Sequence, residues 1–440
     1  MPNVISTDMH DTWIIDASRE EWTLNKTGSI SVDGIAIFED ADQIGNRVFI
    51  EGDIHSQTTV DGSTAVNSAG HRSQFFIADT SVIRTETGFR FGGDRQHVEN
   101  AGLIHATGTA VLAEKSSTFL HFKNSGEMTG DVTMVLTGFA GVFNRSAGLI
   151  TGTDTAIMAS DGHNPDNWSR VLNKGTISAP VAIDSGNATL LLDNYGTIKG
   201  NIELSSGSLQ AEFFGKSIFR GQIEPGEFGA NITIHQGATF SSPISGLDGN
   251  THYVLLGNVS ATISESKHGG ADSVATSLKQ YHLPDNVENL FMNSLLTDGQ
   301  IPNSGHGIGN SLDNMMIGEK NDILEGLGGD DILMSYGPST TSVCTMIGGA
   351  GDDTFVTRIR LGDDWKTSWD VITDFVEGQD KIAFLPFPHV HSIDDLDITQ
   401  HGKDTWIGHD HKSLILKDFD ASTLTSHDFQ FDYENPLSSL

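Results

Sequence analysis

The chain has 440 residues, with 25 lysines and arginines against 58 aspartates and glutamates, a formal net charge of −33, 49 glycines and 37% hydrophobic residues. Such a surface repels a phosphate backbone, which excludes nucleic acid as a partner. No apolar run is long enough for a transmembrane helix, and the single cysteine, Cys344, excludes an internal disulfide.

The N-terminus, Met1 to Asp8, has neither the basic region nor the apolar stretch of a cleaved signal peptide. From Asn25 a loose repeat begins, in which asparagine is followed closely by glycine and an apolar residue. It recurs at Asn100, Asn124, Asn144, Asn173 and Asn194, at intervals of 24, 20, 29 and 21 residues. A second short apolar segment follows many of these corners, as at Thr109–Val111 and Val181–Ile183, and a third precedes the next asparagine, as at Phe119–Phe122 and Leu190–Leu192. Three short strands per unit of about twenty residues predict a right-handed parallel β-helix, in which each coil buries its inner face only against its neighbours. The asparagines are expected at equivalent corners, their amides bonded to each other or to the turn backbone, in a left-handed conformation that asparagine tolerates. Over roughly residues 10 to 245 the pattern resembles the solenoids of bacterial surface proteins and polysaccharide-processing β-helices.

Two polar clusters stand out in this half. The longest interval between asparagines holds Asp161, His163, Asp166, Trp168 and Arg170, a mixture of aromatic face, carboxylate and amide that suits a sugar ring. Arg90, Asp94, Arg95 and His97 form the other. A solvated insertion whose tryptophan packs against the coil is the simpler explanation of the first, and the same holds for the second.

A domain boundary is expected near residue 250, giving a β-helix over 1–250 and a second domain over 251–440. In the second, Met346 to Val356 spells a complete glycine-aspartate nonapeptide. Gly348, Gly349 and Gly351 let the backbone curl its carbonyls around one point, and Asp352 and Asp353 add hard anionic oxygens, the donor type that calcium prefers over zinc. Steps of nine residues back from Asp331 reach Asp322 and Asp313, with Gly326, Gly328, Asp330 and Asn321 in the same turns. With two nonapeptides per coil, residues eighteen apart are expected to stack, placing Asp313 and Asp331 on one face and Asp322 on the other. Asp353 lies one repeat plus thirteen residues beyond Asp331, an insertion expected over about 335–347.

From about Asp272 to Phe431 the chain resembles the RTX (repeats-in-toxin) family of calcium-binding secreted proteins. The segments Asp370–Ile382 and Leu414–Phe429 resemble the cap that closes such β-rolls, and the resemblance adds Asp374 and Asp380 as weaker ligands. Lys320 and Leu327 stand where the family usually has glycine, so their turns are expected to bind Ca2+ less well. The resemblance implies a type I exporter reading an uncleaved C-terminal signal, for which Phe429 to Leu440 would serve, and an extracellular or cell-surface location. Calcium would then replace the missing disulfides as the staple of a secreted fold.

Catalytic signatures are sparse. The chain lacks His-Glu-x-x-His, a Gly-x-Ser-x-Gly elbow and a phosphate-binding Gly-rich loop, and Cys344 falls in an expected loop without an activating partner. The pairs His389/His391 and His409/His411 alternate as metal ligands on a strand would. Two functions therefore compete: a non-catalytic, calcium-dependent secreted adhesin or matrix protein, and a uronan epimerase or lyase with a catalytic β-helix acting on polysaccharide.

Overall fold

The computed structural model describes all residues except 1–2, 58–61, 115–118, 161–167, 205, 225, 227, 246–248, 268, 293–303, 320, 337–342, 360–368, 410 and 435–440. Among the described residues the regular structure is β throughout apart from three short 3₁₀ turns, Ile393–Asp395, Ala421–Thr423 and Ser426–Asp428. No helix among the described residues is long and apolar enough to cross a membrane. The chain divides into two compact units, residues 1–249 with 260–263, and residues 250–259 with 264–440.

The first unit is a parallel solenoid with three strands per coil. One coil runs Gln96–Asn100, Leu103–Ala106 and Val111–Ala113, and the next opens with Phe119–Asn124 in register on Gln96–Asn100. From Glu127 the last two strands of each coil join into single bent strands, Glu127–Thr137, Leu149–Ser160 and Thr176–Asp184, which pair in parallel with register shifts at the bend. Alternation along the strands sends one residue of each rung inward. Val98, Phe122, Val142, Val171 and Leu192 align this way and are essentially fully buried. Each such side chain contributes about 1.5 to 3 kcal/mol relative to exposure, but only when the coils above and below are present.

The asparagines of the repeat form a continuous ladder. The Nδ2 of Asn100 donates to Oδ1 of Asn124 at 2.9 Å, and the pattern repeats from Asn124 to Asn144 at 3.0 Å, Asn144 to Asn173 at 2.9 Å and Asn173 to Asn194 at 2.9 Å. The unequal spacing in sequence vanishes in space because the extra residues leave the coil elsewhere. The expected left-handed corner is absent: none of these asparagines has positive φ, and each is the buried last residue of a strand. Steric crowding just after the asparagine demands glycine instead. A methyl group on Gly126 would overlap the carbonyl oxygen of Gly102, one on Gly175 that of Gly148, and one on Gly196 that of Gly175. Asn25 is not part of the ladder, since the register aligns Leu24 with Ile50, Ile77 and Asn100, one residue away.

The second unit is a β-roll with two parallel strand series. Ser273–Thr276, Asn289–Met292, Met315–Gly318, Ile332–Ser335, Thr354–Thr357 and Lys381–Phe384 stack in one series. Gln280–His282, His306–Ile308, Asp322–Gly328, Cys344–Ala350 and Asp370–Ile372 stack in the other. Phe291, Ile317, Met334, Val356 and Ala383 form a buried column through five coils. The second series ends in His411–Leu416, whose antiparallel neighbours Asp404–His409 and Asp397–His401 close the sheet.

Two expectations about this roll change. Met315 stacks on Ile332, seventeen residues away, so Asp331 lies over Asn314 while Asp313 lies beside Asp330. The seventeen-residue coil keeps the apolar triplets Met315-Met316-Ile317 and Ile332-Leu333-Met334 in register, and that packing fixes which acids meet. Asp353 is one full coil beyond Asp331, and Cys344 pairs with Asp322 twenty-two residues earlier, so the insertion amounts to five residues rather than thirteen. Cys344 itself opens a strand and is buried, which removes its thiol from solvent.

Candidate calcium centre

Two columns of acids run up one edge of the roll. In the inner column, Asp331 Oδ1 accepts the N–H of Asn314 at 2.8 Å, Asp353 Oδ1 that of Asp331 at 2.9 Å, and Asp380 Oδ1 that of Asp353 at 3.0 Å. In the outer, exposed column, Asp313 Oδ1 accepts the N–H of Asp330 and Asp330 Oδ1 that of Asp352, both at 2.8 Å. Asp374 binds the adjacent N–H groups of Gly348 and Gly349 at 3.0 and 2.9 Å. Asp331 and Asp353 thus each hold a neighbouring turn by one carboxylate oxygen on a backbone amide, a charge-assisted bond that leaves the second oxygen for another partner, whereas Asp374 and Asp380 use both oxygens on backbone N–H groups.

The glycines shape the pocket around those second oxygens. A methyl group on Gly326 would overlap Oδ2 of Asp331, and one on Gly348 would overlap Oδ2 of Asp353. Gly329, Gly349 and Gly351 have φ of 107°, 106° and 142°, and a methyl group on any of them would overlap the backbone of the coil below. Asp331 Oδ2 is buried with no hydrogen-bond partner among the described residues. Burial pushes the Asp331 carboxyl up to about 7 and that of Asp353 up to about 6, and Asp380 is raised for the same reason. The neighbouring acids add to each shift, and only the backbone N–H bonds oppose it.

Stacked like-charged, half-desolvated carboxylates are what a divalent cation relieves. No three His, Cys, Asp or Glu side chains converge as a metal cage among the described residues. The donor set that fits is therefore calcium's mixed one, carbonyls of the glycine turns plus one or two carboxylates per site. Residues 326–331 and 348–353, with Asp374 beside them, meet that requirement through the orphaned Asp331 Oδ2 and the glycine cradles.

The other sites expected from sequence are placed differently. Asp322 belongs to the second series, where it accepts the N–H groups of Gly305 at 2.5 Å and Glu319 at 2.8 Å. Asn321 takes φ of 68°, which asparagine tolerates. Leu327 takes φ of 75° and is exposed, a strained choice for a branched residue. Leu327→Gly is expected to stabilise this unit by about 1 kcal/mol, read as a higher denaturation midpoint in calcium; an unchanged or lower midpoint would mean the leucine contacts outweigh the strain. Lys320 lies outside the described residues, as do Asp161, His163 and Asp166.

Asp370 escaped the sequence reading because it sits outside any nonapeptide. It is fully buried and gathers the Cys344 N–H at 2.8 Å, the Ser335 hydroxyl at 2.7 Å and the Thr357 hydroxyl. Asp272, buried with its Oδ2 unpartnered among the described residues and its carboxyl pushed up to about 7 by burial, was missed for the same reason. The histidine pairs do not form alternating strand ligands: His389 lies in a turn with φ of 72°, His391 binds Asp432 at 3.0 Å, and His409 binds the Asp395 carbonyl at 2.7 Å. In the first unit Arg90 pairs with Glu114 at 2.5 Å, and His97 meets His121 at 3.0 Å and Glu99 at 3.0 Å.

A parallel β-roll whose glycine-aspartate turns stack acid on amide defines a glycine-aspartate repeat class, and the sequence comparison agrees. Residues 226–432 match the family model described as Peptidase M10 serralysin C terminal, so this part of the chain is an RTX-type repeat domain. No curated protein sequence matches the chain. Among solved structures it is similar to the extracellular lipase LipA from Serratia marcescens, at 14% identity and a TM-score of 0.17, over 67% of this chain and 44% of that one. The chain thus spans less than half of that protein, and the likeness is too slight to bear on function.

Proposed function

We propose that this is a secreted calcium-binding RTX protein whose second unit completes its folding on calcium after type I export, and whose first unit presents a non-catalytic surface to polysaccharide or cell surface outside the cell. The observation that carries the calcium reading is the inner column Asp331, Asp353 and Asp380, carboxyls raised by burial and mutual repulsion and pressed onto glycine turns. The serralysin C-terminal match over 226–432 supports both calcium and export. With free calcium ten to a hundred times a site's dissociation constant, each site adds about 1.4 to 2.7 kcal/mol, so a few sites are comparable with a domain's whole stability of about 5 to 15 kcal/mol.

The test is a calcium titration of the full chain, followed by circular dichroism and by hydrogen exchange resolved along the sequence. Protection over residues 313–384 is expected to rise with calcium while that over the asparagine ladder stays unchanged. The pH dependence has a definite sign. The folded pKa values of Asp331 and Asp353, about 7 and about 6, lie above the ordinary value of 3.8. The calcium-free fold therefore retains its protons more tightly than the unfolded chain, and its stability is lost as pH rises from about 4 through 7. Calcium needs the deprotonated carboxylates, so its midpoint concentration is expected to rise as pH falls below about 7. A calcium response that is absent, or independent of pH, would remove the reading.

A further inference from the structure

The outward face of the first unit carries a groove that the calcium reading does not use. In the parallel series from Gln96–Asn100 to Ala230–His235, each rung places its outward residues directly over those of the last. At one position this stacks Phe119 on Phe139 at 5.3 Å, with Trp168 edge-on to Phe139 at 5.7 Å. Phe119 is 47% and Trp168 38% exposed, unusual for large apolar side chains on so acidic a protein. Beside them Gly141 lies between His121 and Arg170 in the same register and has no side chain, so the surface sinks there into a cavity of about 630 Å³. A second cavity of about 500 Å³ shares Arg170 and continues along the same face, lined by the polar Asp193, Gln210, Glu212 and Asn231.

The seven rungs place the two cavities along one track of roughly 29 Å, taking about 4.8 Å between neighbouring strands. A track that is aromatic at one end and rich in amides and carboxylates at the other suits a molecule with apolar faces and many hydroxyls. Its charges select among such molecules. Arg170 is held by Asp193 at 2.5 and 3.0 Å, Lys123 by Glu99 at 2.9 Å, and Arg95 lies 3.7 Å from Asp94. With each of these three cations matched by an acid, and the chain at −33, a polyanion gains little attraction.

We propose that this groove binds one extended chain of neutral hexopyranoses, its sugar faces on Phe119, Phe139 and Trp168 and its hydroxyls on Gln210, Asn231 and Asp193. The proposal rests on the reading of the first unit as a presented, non-catalytic surface, and it takes an uncharged glycan rather than the uronan of the alternative, enzymatic reading. The ring stack also contributes to coil packing, and the aligned glycine is what distinguishes a groove from a plain aromatic ladder.

The experiment is calorimetric titration of the full chain in calcium with cellohexaose, laminarihexaose, maltohexaose and mannohexaose, and with hexamers of galacturonate and guluronate. Binding of at least one neutral hexamer is expected, with a change in tryptophan fluorescence. Trp168→Ala is expected to weaken it about tenfold or more. Gly141→Leu is expected to weaken it at least as much by filling the floor. A methyl at Gly141 meets Phe143 and His121 at ordinary contact, 3.5 and 3.6 Å, so the backbone accepts a side chain there, and an unchanged melting temperature of the variant, measured in the same samples, separates a filled floor from a lost fold. Binding of the uronates in preference, no binding of any neutral hexamer, or binding indifferent to Gly141→Leu would each overturn the proposal. Calcium-induced protection over 313–384 in the same samples is read separately, so failure of the glycan site and failure of the calcium reading are distinguishable.

Discussion

Alanine at Gly351 is expected to destabilise the second unit by about 3 kcal/mol or more, while alanine at Gly328, a glycine of the preceding repeat, is expected to change it by less than about 0.5 kcal/mol. At Gly351 φ is 142°, and a methyl group would overlap the backbone carbonyl of Gly329 in the coil below. Neither the conformation nor the fixed carbonyl can yield without opening the stack. At Gly328 φ is not positive, and the nearest atom to a new methyl is the Ala350 carbonyl oxygen at 3.5 Å, an ordinary contact. Chemical denaturation at saturating calcium measures both. Equal effects would show that the repeat keeps its glycines for some property of the unfolded chain rather than for the stacked turn.

Asn144→Ala is expected to cost the first unit about 2 to 4 kcal/mol, from two buried polar groups each losing a partner at about 1 to 3 kcal/mol. Asn144 stands at the centre of the ladder, accepting from Asn124 at 3.0 Å and donating to Asn173 at 2.9 Å. The cost falls toward the lower end because Asn124 Nδ2 keeps the carbonyls of Gly126 and Leu149. Asn25→Ala is the matched comparison: it removes the same amide from the same motif in sequence but from outside the ladder, and less than about 1 kcal/mol is expected. Denaturation curves of the two variants, with calcium held constant, decide the point. A loss at Asn25 as large as that at Asn144 would mean the motif acts through its local turn and not through the inter-coil chain of amides.

The architecture was legible because repetition is itself a structural statement: a coil that recurs needs a neighbour to bury its face, and asparagines or aspartates that recur mark where coils meet. Asn100 to Asn194 could be aligned in the sequence despite intervals from 20 to 29 residues, because glycine and an apolar residue follow each of them. The acidic turns were equally visible, since Gly348, Gly349, Gly351 and Asp353 stand together. Less visible was the pairing of those turns. Counting by nines predicted that Asp313 would lie over Asp331, whereas the coil is seventeen residues long and puts Asn314 there. A one-residue difference is invisible to a nine-residue pattern yet exchanges an exposed column for a buried one, because side chains alternate along a strand.

Residues with no local signature stayed hidden. Asp370 and Asp272 occupy buried positions and stand in no glycine-aspartate nonapeptide, so although both open segments that resemble the RTX family, nothing beside them marks them as buried acids. Gly141 resembles any other glycine of a glycine-rich chain until its alignment between His121 and Arg170 shows it as the floor of a groove.

By itself, then, the sequence determined the all-β class, the stacking of short parallel strands, the recurring glycine-aspartate turns and the absence of internal disulfides, because periodicity and residue chemistry are local properties. Only the tertiary structure decided which acid lies on which amide, that the asparagines link into one ladder, that Cys344 is buried in a strand, and that aromatic side chains from separate coils form one face. Each of these depends on register between coils, set by apolar packing among residues seventeen to twenty-nine positions apart.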